Sequence, residues 1–371
     1  MKKNKKILLT ANTTFAVYNF RYGLMKELEK QGYQIVVVAP KDTHSEDIKN
    51  NGWKYIELNM DRRGTNPLKD LKLIYDYYRI LKKEKPKVSL QFTIKPNIYG
   101  NIAANLLKIP TINNITGLGD IFDSNGIKNR IVKNMYKLSF KSPKKVFFQN
   151  NEDLNIFLNN GLIDKKICGR LPGSGVDIEK FKISNKERND KKFKFLFLGR
   201  INENKGVRLI YEASKKLKEK YPNVEFQLLG KVYEEEQTHI SKDEMKIWEK
   251  ETNIKYLGTS KDVRNEIKGC DCVLFPSYYR EGVPRSLIES AAMGKPIITT
   301  DNVGCRDIVS NGYNGFLAKP KDLNSLIENI EKVLSMNKED LIQLGVNGRL
   351  KVEKEFDEKI VIEKYLKEIK I

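Results

Sequence analysis

Glu281 and Glu289 stand eight positions apart in the run EGVPRSLIESAAMGKPIITTD. Gly282 and Pro284 follow the first carboxylate, a helical segment Arg285–Met293 carries the second, and Gly294 stops it. The apolar segment Pro296-Ile-Ile-Thr-Thr300 then reads as a buried strand. One carboxylate therefore falls on a loop and the other about one turn into the next helix, whose N-terminal amides suit phosphate. Fixed carboxylates for hydroxyls, with amides for a diphosphate, are what a nucleotide-sugar requires. Two Glu at this spacing also occur by chance on surface helices. The glycine, the proline and the strand that follows argue against that reading. A second set lies in Gly199-Arg-Ile-Asn-Glu-Asn-Lys-Gly206, after the strand-like Phe193–Leu198. Loops at the carboxyl ends of parallel strands are where open α/β sheets bind ligands. There Arg200 can fork onto two phosphate oxygens while Lys205 acts as a point charge. Together they would neutralise charge building on a departing diphosphate. Both are expected on an open loop, so their loss should leave the fold unaffected.

At these residues the chain resembles the retaining GT-B glycosyltransferases of family 4. Glu281-Gly-Val-Pro-Arg-Ser-Leu-Ile-Glu289 is similar to that family's E-x7-E signature, and Gly199–Gly206 to its G-R-x4-K-G phosphate motif. Gly173-Ser-Gly-Val-Asp177 followed by Phe181 is similar to its interdomain G-V-D-x3-F, and Asn314-Gly-Phe-Leu317 to its late N-G-F-L turn. The four motifs keep the family's order, and the resemblance covers nearly the whole chain. Ile115-Thr-Gly-Leu-Gly119 and Val17-Tyr-Asn-Phe-Arg21 resemble enzymes that extend lipid-linked sugars for bacterial capsule, O-antigen and protein glycans. The resemblance implies an α/β, GT-B architecture: two Rossmann-like domains whose parallel sheets face across a cleft. It places Glu289 on the nucleotide ribose and Glu281 near the donor sugar, with Glu281, Arg200 and Lys205 as the catalytic set. Gly199, Gly282, Val283, Pro284, Ser286 and Leu287 complete the donor motifs. Arg285 either reaches the sugar or acceptor or is an ordinary residue of a helix start. Gly230 and Lys231, ending the strand Val224–Leu229, are weaker candidates for the base or diphosphate. Tyr278 and Tyr279 either line the cleft or pack against the core. The donor is read as a UDP-sugar and the sugar as an N-acetylhexosamine. No cofactor and no metal are expected, because no Asp-x-Asp pair lies at a strand end and two cations already face the diphosphate.

In the first half the loop Thr10-Ala-Asn-Thr-Thr14 leads into Tyr18-Asn-Phe-Arg21. This loop has no glycine, so Asn12, Thr13 and Thr14 would have to replace close backbone contacts. Asn19 and Arg21 join them as acceptor candidates. Arg21 either holds an acceptor pyrophosphate near a helix start or is an ordinary exposed arginine. Thr116, Gly117 and Gly119 follow the strand Pro110–Asn113, where the glycines permit tight backbone or close ligand approach. Asp120 either partners an acceptor hydroxyl or caps a helix. His44, in a charged loop, receives no catalytic role. Retention in the family is usually explained by front-side attack, with the leaving phosphate taking the acceptor proton.

The elements that must position these residues alternate between strand-like and helix-period runs, which argues for βαβ units and parallel sheets. Length supports two domains: 371 residues exceed one ordinary core. The expected division is 1–175, binding acceptor, and 176–355, binding nucleotide-sugar. A terminal helix near 356–371 is implied by the family to cross back to the first. Hydrophobic content of 40% is a globular value. The four cysteines lack C-x-x-C spacing and the two histidines lie far apart, so neither a redox pair nor a metal cluster is expected. Of the net charge of +20, the first 180 residues hold +15, from 32 Lys and Arg against 17 Asp and Glu. That half faces something anionic. Lys128–Lys145 carries seven cations and no acid, interleaved with Ile131, Met135, Tyr136 and Phe140. It reads either as a membrane-surface helix or as a core helix with a solvated basic face. No apolar run reaches a membrane span, so the expectation is a cytoplasmic protein, peripheral on the membrane, taking a polyprenyl-pyrophosphate-linked acceptor. The rivals are a UDP-sugar epimerase of the same fold and a basic nucleic-acid-binding protein. No nucleic-acid recognition module is present.

Overall fold

The computed structural model describes residues 5–61, 66–122, 126–183, 192–234 and 238–370. The chain forms two compact units, Met1–Gly175 with Glu358–Ile371, and Val176–Asp357.

Unit one holds β1 (Lys6–Thr10), β2 (Gln34–Ala39), β3 (Lys54–Glu57), β4 (Val88–Phe92), β5 (Thr111–Ile115), β6 (Lys145–Phe148) and β7 (Cys168–Arg170). They form one parallel sheet in the order β3-β2-β1-β4-β5-β6-β7. Its helices are α1 (Thr14–Lys30), α2 (Ser45–Asn50), α3 (Pro67–Glu84), α4 (Asn101–Leu106), α5 (Ile127–Ser139) and α6 (Asn151–Asn159). Helices on both faces explain why the strands read as continuous apolar runs rather than alternating ones. In β1, Ile7 and Leu9 pack with Val17, Leu24 and Leu28 of α1. Leu8 packs on the opposite face with Leu73, Tyr77 and Leu81 of α3, Tyr136 of α5 and Phe157 of α6.

Unit two repeats the plan with β8 (Phe193–Leu198), β9 (Val224–Leu229), β10 (Ile254–Gly258), β11 (Cys272–Phe275), β12 (Ile297–Thr300) and β13 (Gly315–Ala318). They are parallel, in the order β10-β9-β8-β11-β12-β13. Its helices are α7 (Val207–Leu217), α8 (Lys242–Glu251), α9 (Arg264–Gly269), α10 (Arg285–Ala292), α11 (Cys305–Ile308), α12 (Leu323–Leu334) and α13 (Lys338–Glu355). The last helix, α14 (Glu358–Lys370), leaves unit two and completes the core of unit one with Val361, Tyr365 and Ile369.

The structure differs from the sequence expectations in four places. Helix α1 begins at Thr14, because the Thr13 side chain caps it by accepting from the Ala16 amide at 3.0 Å. The sequence places the start of this helix at Tyr18; the structure adds Thr14–Val17 before it, so Tyr18–Arg21 lie inside the helix rather than at its start. The basic stretch Lys128–Lys145 is not one helix: α5 ends at Ser139 and Lys145 starts β6. The alternating pattern implies a helix between β3 and β4 but leaves α3 without bounds, although Asn66 caps it and Pro67 sits in its first turn. Strand β7 was missed because its three residues, Cys-Gly-Arg, carry no strand pattern. Most of the connector expected at Lys182–Lys194 falls at 184–191, outside the described residues.

Tyr365 shows how much unit one depends on α14. It is fully buried, its ring meets Phe147 at 5.3 Å, and its hydroxyl accepts from Asn114 Nδ2 at 2.9 Å. Tyr365→Ala is expected to cost about 3–5 kcal/mol through cavity and lost contacts. Tyr365→Phe should cost only about 1 kcal/mol through the lost hydrogen bond. Urea unfolding measures both; an alanine variant as stable as the parent would show that α14 is dispensable.

Candidate functional site

In unit two the chemistry-bearing residues gather at the carboxyl edge of the sheet, on the loops after β8, β9 and β11. The loop after β8 turns at Arg200, and the buried Asn202 accepts from the Lys205 amide at 3.1 Å to hold the turn Glu203–Lys205. Gly206 then adopts φ +78° before α7 begins. A Cβ there would lie 2.1 Å from the Pro276 carbonyl oxygen, so only glycine admits the loop after β11 this close. Asn204 accepts through its carbonyl from the amides of both Tyr278 and Tyr279, each at 3.0 Å. Gly230 makes the same kind of contact with the end of β8, where a Cβ would fall 1.6 Å from the Gly199 carbonyl oxygen.

This clamping carries Lys205 and Glu281, 76 residues apart, into an ion pair with side chains only 10% and 12% exposed. Ser277 Oγ donates to the same Glu281 oxygen at 3.0 Å. The Lys205 ammonium sits 5.0 Å from the Tyr279 ring centroid, and the Arg200 guanidinium lies 5.8 Å from the same centroid. Lys205 is thus buried and paired, a correction to the expectation of an open loop side chain. Lys231 is exposed beside Tyr233, at 5.0 Å.

Gly282 and Val283 are buried in the loop, and Pro284 precedes α10 as its N-cap residue. Arg285 pairs with Glu289 one turn on, Nε to Oε1 at 2.8 Å. Burial pushes the Glu289 carboxyl above the usual carboxylate range, and the Arg285 charge partly offsets this. Leu287, expected among the donor contacts, is fully buried in the core and its amide bonds to the Pro284 carbonyl at 3.2 Å. Its side chain packs in the core of unit two with Ile288 and Ala291. Ser286 is half-buried on the first turn of α10. Burial, with the Glu281 charge beside it, pushes the Cys305 thiol up to about 12, leaving it inert.

In unit one the acceptor candidates also follow strand ends, but several are already engaged. The Asn12 amide donates to Thr93 Oγ1 at 3.2 Å, tying the loop after β1 to that after β4. Thr13 is the cap of α1, and the buried Thr14 donates to Asp42. Asn19 lies 3.3 Å from His44 Nε2, while Asp47 holds His44 Nδ1 at 2.9 Å. Arg21 is 4% exposed, its guanidinium 4.4 Å from the Phe92 ring centroid. It is therefore buried within α1 and not the ordinary exposed arginine of the alternative reading. Thr116 is half-buried, and Gly117 and Gly119 take φ of +120° and +60° in the turn after β5. Asp120 lies in the short turn Gly119–Phe122. Sequence reasoning missed Asp42, Ser277 and Thr93. Thr93 is a β-branched residue at φ +68°, an uncommon conformation for that side chain, and nothing in its sequence neighbourhood announces it.

Residues 178–351 match the family model described as glycosyl transferases group 1, and residues 6–150 match that described as glycosyl transferase 4-like. The chain is 30% identical over 368 residues, 95% of each chain, to the N,N'-diacetylbacillosaminyl-diphospho-undecaprenol alpha-1,3-N-acetylgalactosaminyltransferase of Campylobacter jejuni. It is 28% identical over 312 residues, 77% of each, to the UDP-Gal:alpha-D-GlcNAc-diphosphoundecaprenol alpha-1,3-galactosyltransferase of Escherichia coli. In fold it is similar to Anabaena HepE, solved in complex with UDP and glucose, with TM-score 0.80, 18% identity and 98% of each chain covered.

The burial of the Lys205–Glu281 pair makes a stability prediction that is independent of any substrate. Glu281→Ala strands a buried ammonium and should cost about 3–5 kcal/mol, whereas pairing it with Lys205→Met should recover most of that loss. A double-mutant cycle by chemical denaturation measures it. Additive single effects would show that the two side chains do not depend on each other.

Proposed function

Because the chain belongs to the group 1 glycosyl transferases it is a glycosyltransferase, and we propose that it moves an N-acetylhexosamine or closely related sugar from a UDP donor to a saccharide linked through diphosphate to a polyprenol. The reaction proceeds with retention at the anomeric carbon and without a metal ion or cofactor. The observation that carries the substrate reading is the 30% identity, across 95% of both chains, to a transferase named for a diphospho-undecaprenol acceptor. Neither the epimerase nor the nucleic-acid reading finds support among the relatives.

The geometry of unit two suits this chemistry. Glu289 accepts from two adjacent ribose hydroxyls, and Arg285 partly offsets the burial that raises the Glu289 carboxyl. Arg200 and Lys205 face the diphosphate, where charge grows as the bond from the anomeric carbon to the phosphate oxygen breaks. The acceptor hydroxyl forms the new bond on the same face, its proton passes to the departing phosphate oxygen, and UDP leaves. Glu281 has two tasks: it neutralises Lys205 before the donor arrives and accepts from a donor-sugar hydroxyl afterwards. The two cations supply the charge that a divalent ion would otherwise bring. No helix among the described residues is long and apolar enough to cross a membrane. The acceptor proposed here is lipid-linked, so we place the enzyme peripherally on the cytoplasmic face of the membrane.

Incubating the protein with a panel of UDP-sugars and a polyprenyl-diphosphate monosaccharide tests the reading. UDP release should depend on the acceptor and survive chelator, and the product should keep the donor's anomeric configuration. Arg200→Ala should lower turnover by ~10²-fold, the scale of removing one transition-state donor. Acceptor-independent release, an inverted product, or activity restored only by Mg²⁺ would each overturn part of the assignment.

Glu289 also sets a pH dependence. Its carboxyl titrates above the usual carboxylate range, and only the ionised form accepts from both ribose hydroxyls. The donor KM should therefore rise on acidification at a higher pH than an exposed glutamate would produce. Arg285→Met removes the offsetting cation and should move that rise higher still, while Glu289→Gln should flatten it. A donor KM independent of pH in the parent enzyme would remove Glu289 from the ribose.

A further inference from the structure

Helix α3 buries Leu73, Tyr77 and Leu81, and on the opposite face leaves Leu68, Leu71 and Tyr75 exposed by 77%, 63% and 60%. At 3.6 residues per turn these three fall within about 60° of arc. Lys72, Arg79 and Lys82, all exposed, continue the same stripe. Helix α3 packs on α4 and α4 on α5, and all three bury their inner sides in the same core, so their outer surfaces lie side by side. Leu106 on α4 is 68% exposed, and Ile131 and Leu138 on α5 are 52% and 53% exposed. Six of the fourteen exposed large hydrophobics among the described residues therefore sit on this one layer. Single exposed apolar residues are ordinary, but a cluster of this kind marks an interaction surface.

The charge around them has one sign. Lys108, Arg130 and Lys137 add to the cations of α3, and no described acid on the three helices is exposed. Asp70 and Asp76 on α3 are half-buried, Glu84 is buried, and Asp70 is held by Lys95 at 2.9 Å. A second copy of the chain docking here face to face would set cations against cations. A nucleic acid would use the cations but leave Leu68, Leu71 and Tyr75 without apolar cover. An anionic bilayer satisfies both sets, since aromatic and aliphatic side chains enter the headgroup boundary while Lys and Arg meet lipid phosphates.

We propose that the α3–α4–α5 face is the surface by which this enzyme lies on an anionic bilayer, with Leu68, Leu71 and Tyr75 as its inserting residues. The inference rests on the lipid-linked acceptor proposed above. It also moves the main membrane contact from α5, whose Tyr136 and Phe140 are core residues, to a helix whose bounds the sequence did not announce.

Flotation with vesicles of equal parts phosphatidylglycerol and phosphatidylcholine tests it on the full chain. Leu68→Ser/Leu71→Ser/Tyr75→Ser should cut partitioning about tenfold or more, at low and at high salt. Lys72→Glu/Arg79→Glu/Lys82→Glu should cut it mainly at low salt, where charge is least screened. Both variants should keep the parent's melting temperature, because every altered side chain is exposed. Both should also keep turnover on a short, water-soluble acceptor within about twofold. Failure of the reaction reading would show on that soluble acceptor, and failure of docking only on vesicles. Three results would overturn the proposal: parent-like vesicle binding by the apolar variant, equal binding of the parent to pure phosphatidylcholine, or lipid-free self-association abolished by the apolar variant.

Discussion

The loops after β8 and β11 meet backbone to backbone, and the donor site depends on that closeness. Where Gly206 faces the Pro276 carbonyl there is no room for a side-chain carbon. The approach lets Asn204 hold two successive amides of the opposite loop. Only then can Lys205 reach Glu281, with Ser277 on the same carboxylate and Tyr279 beneath the ammonium. Desolvating an ammonium and a carboxylate is expensive, and the pair persists because each compensates the other in a fixed geometry. A site built this way keeps its cation aimed before any ligand arrives, so less reorganisation remains for the moment of reaction.

Much of the architecture was legible from the residues. Apolar runs such as Ile7–Leu9, Ile35–Val38 and Phe195–Leu198 could only be strands covered on both faces, and their alternation with helix-period segments required parallel sheets. The family motifs were legible as well, since Gly199–Gly206 and Glu281–Glu289 carry their glycines and charges in a recognisable order. What stayed hidden depended on tertiary partners. Nothing in the sequence announces that Arg21, on a helix, is buried against the Phe92 ring. Lys205 looked solvated because its partner lies 76 residues away. Leu287 sits within the signature yet faces the core. Thr93 holds its positive φ through contacts with Asn12 and Asn97 that no local pattern encodes.

The same distinction explains the misplaced basic segment. Lys128–Lys145 attracted notice because its cations are consecutive and unopposed. The fold turns its aromatic residues to the interior, where Tyr136, Phe140, Phe148 and Phe157 pack edge to face or tilted at centroid distances of 5.0 to 6.1 Å. In helix α3, acids and tyrosines dilute the cations along the sequence. Only folding sorts them, sending Tyr77 and Glu84 inward and leaving Leu71, Tyr75 and Arg79 outside. Charge density in a linear window is thus a poor guide to surface chemistry when one helix face must serve a core.

Helix α14 has a consequence for biosynthesis. The ribosome finishes residues up to Gly175 first, yet the interior of that unit lacks Val361, Tyr365 and Ile369 until the segment 358–370 is made. At ordinary synthesis rates, the intervening 176–357 segment takes on the order of tens of seconds to emerge. During that interval the leading half carries an open apolar groove where α14 will sit, while the trailing half can already close its own core. The first part of the molecule to be made is therefore the last to be completed, and a chaperone acting on the nascent chain would find its client in the leading half.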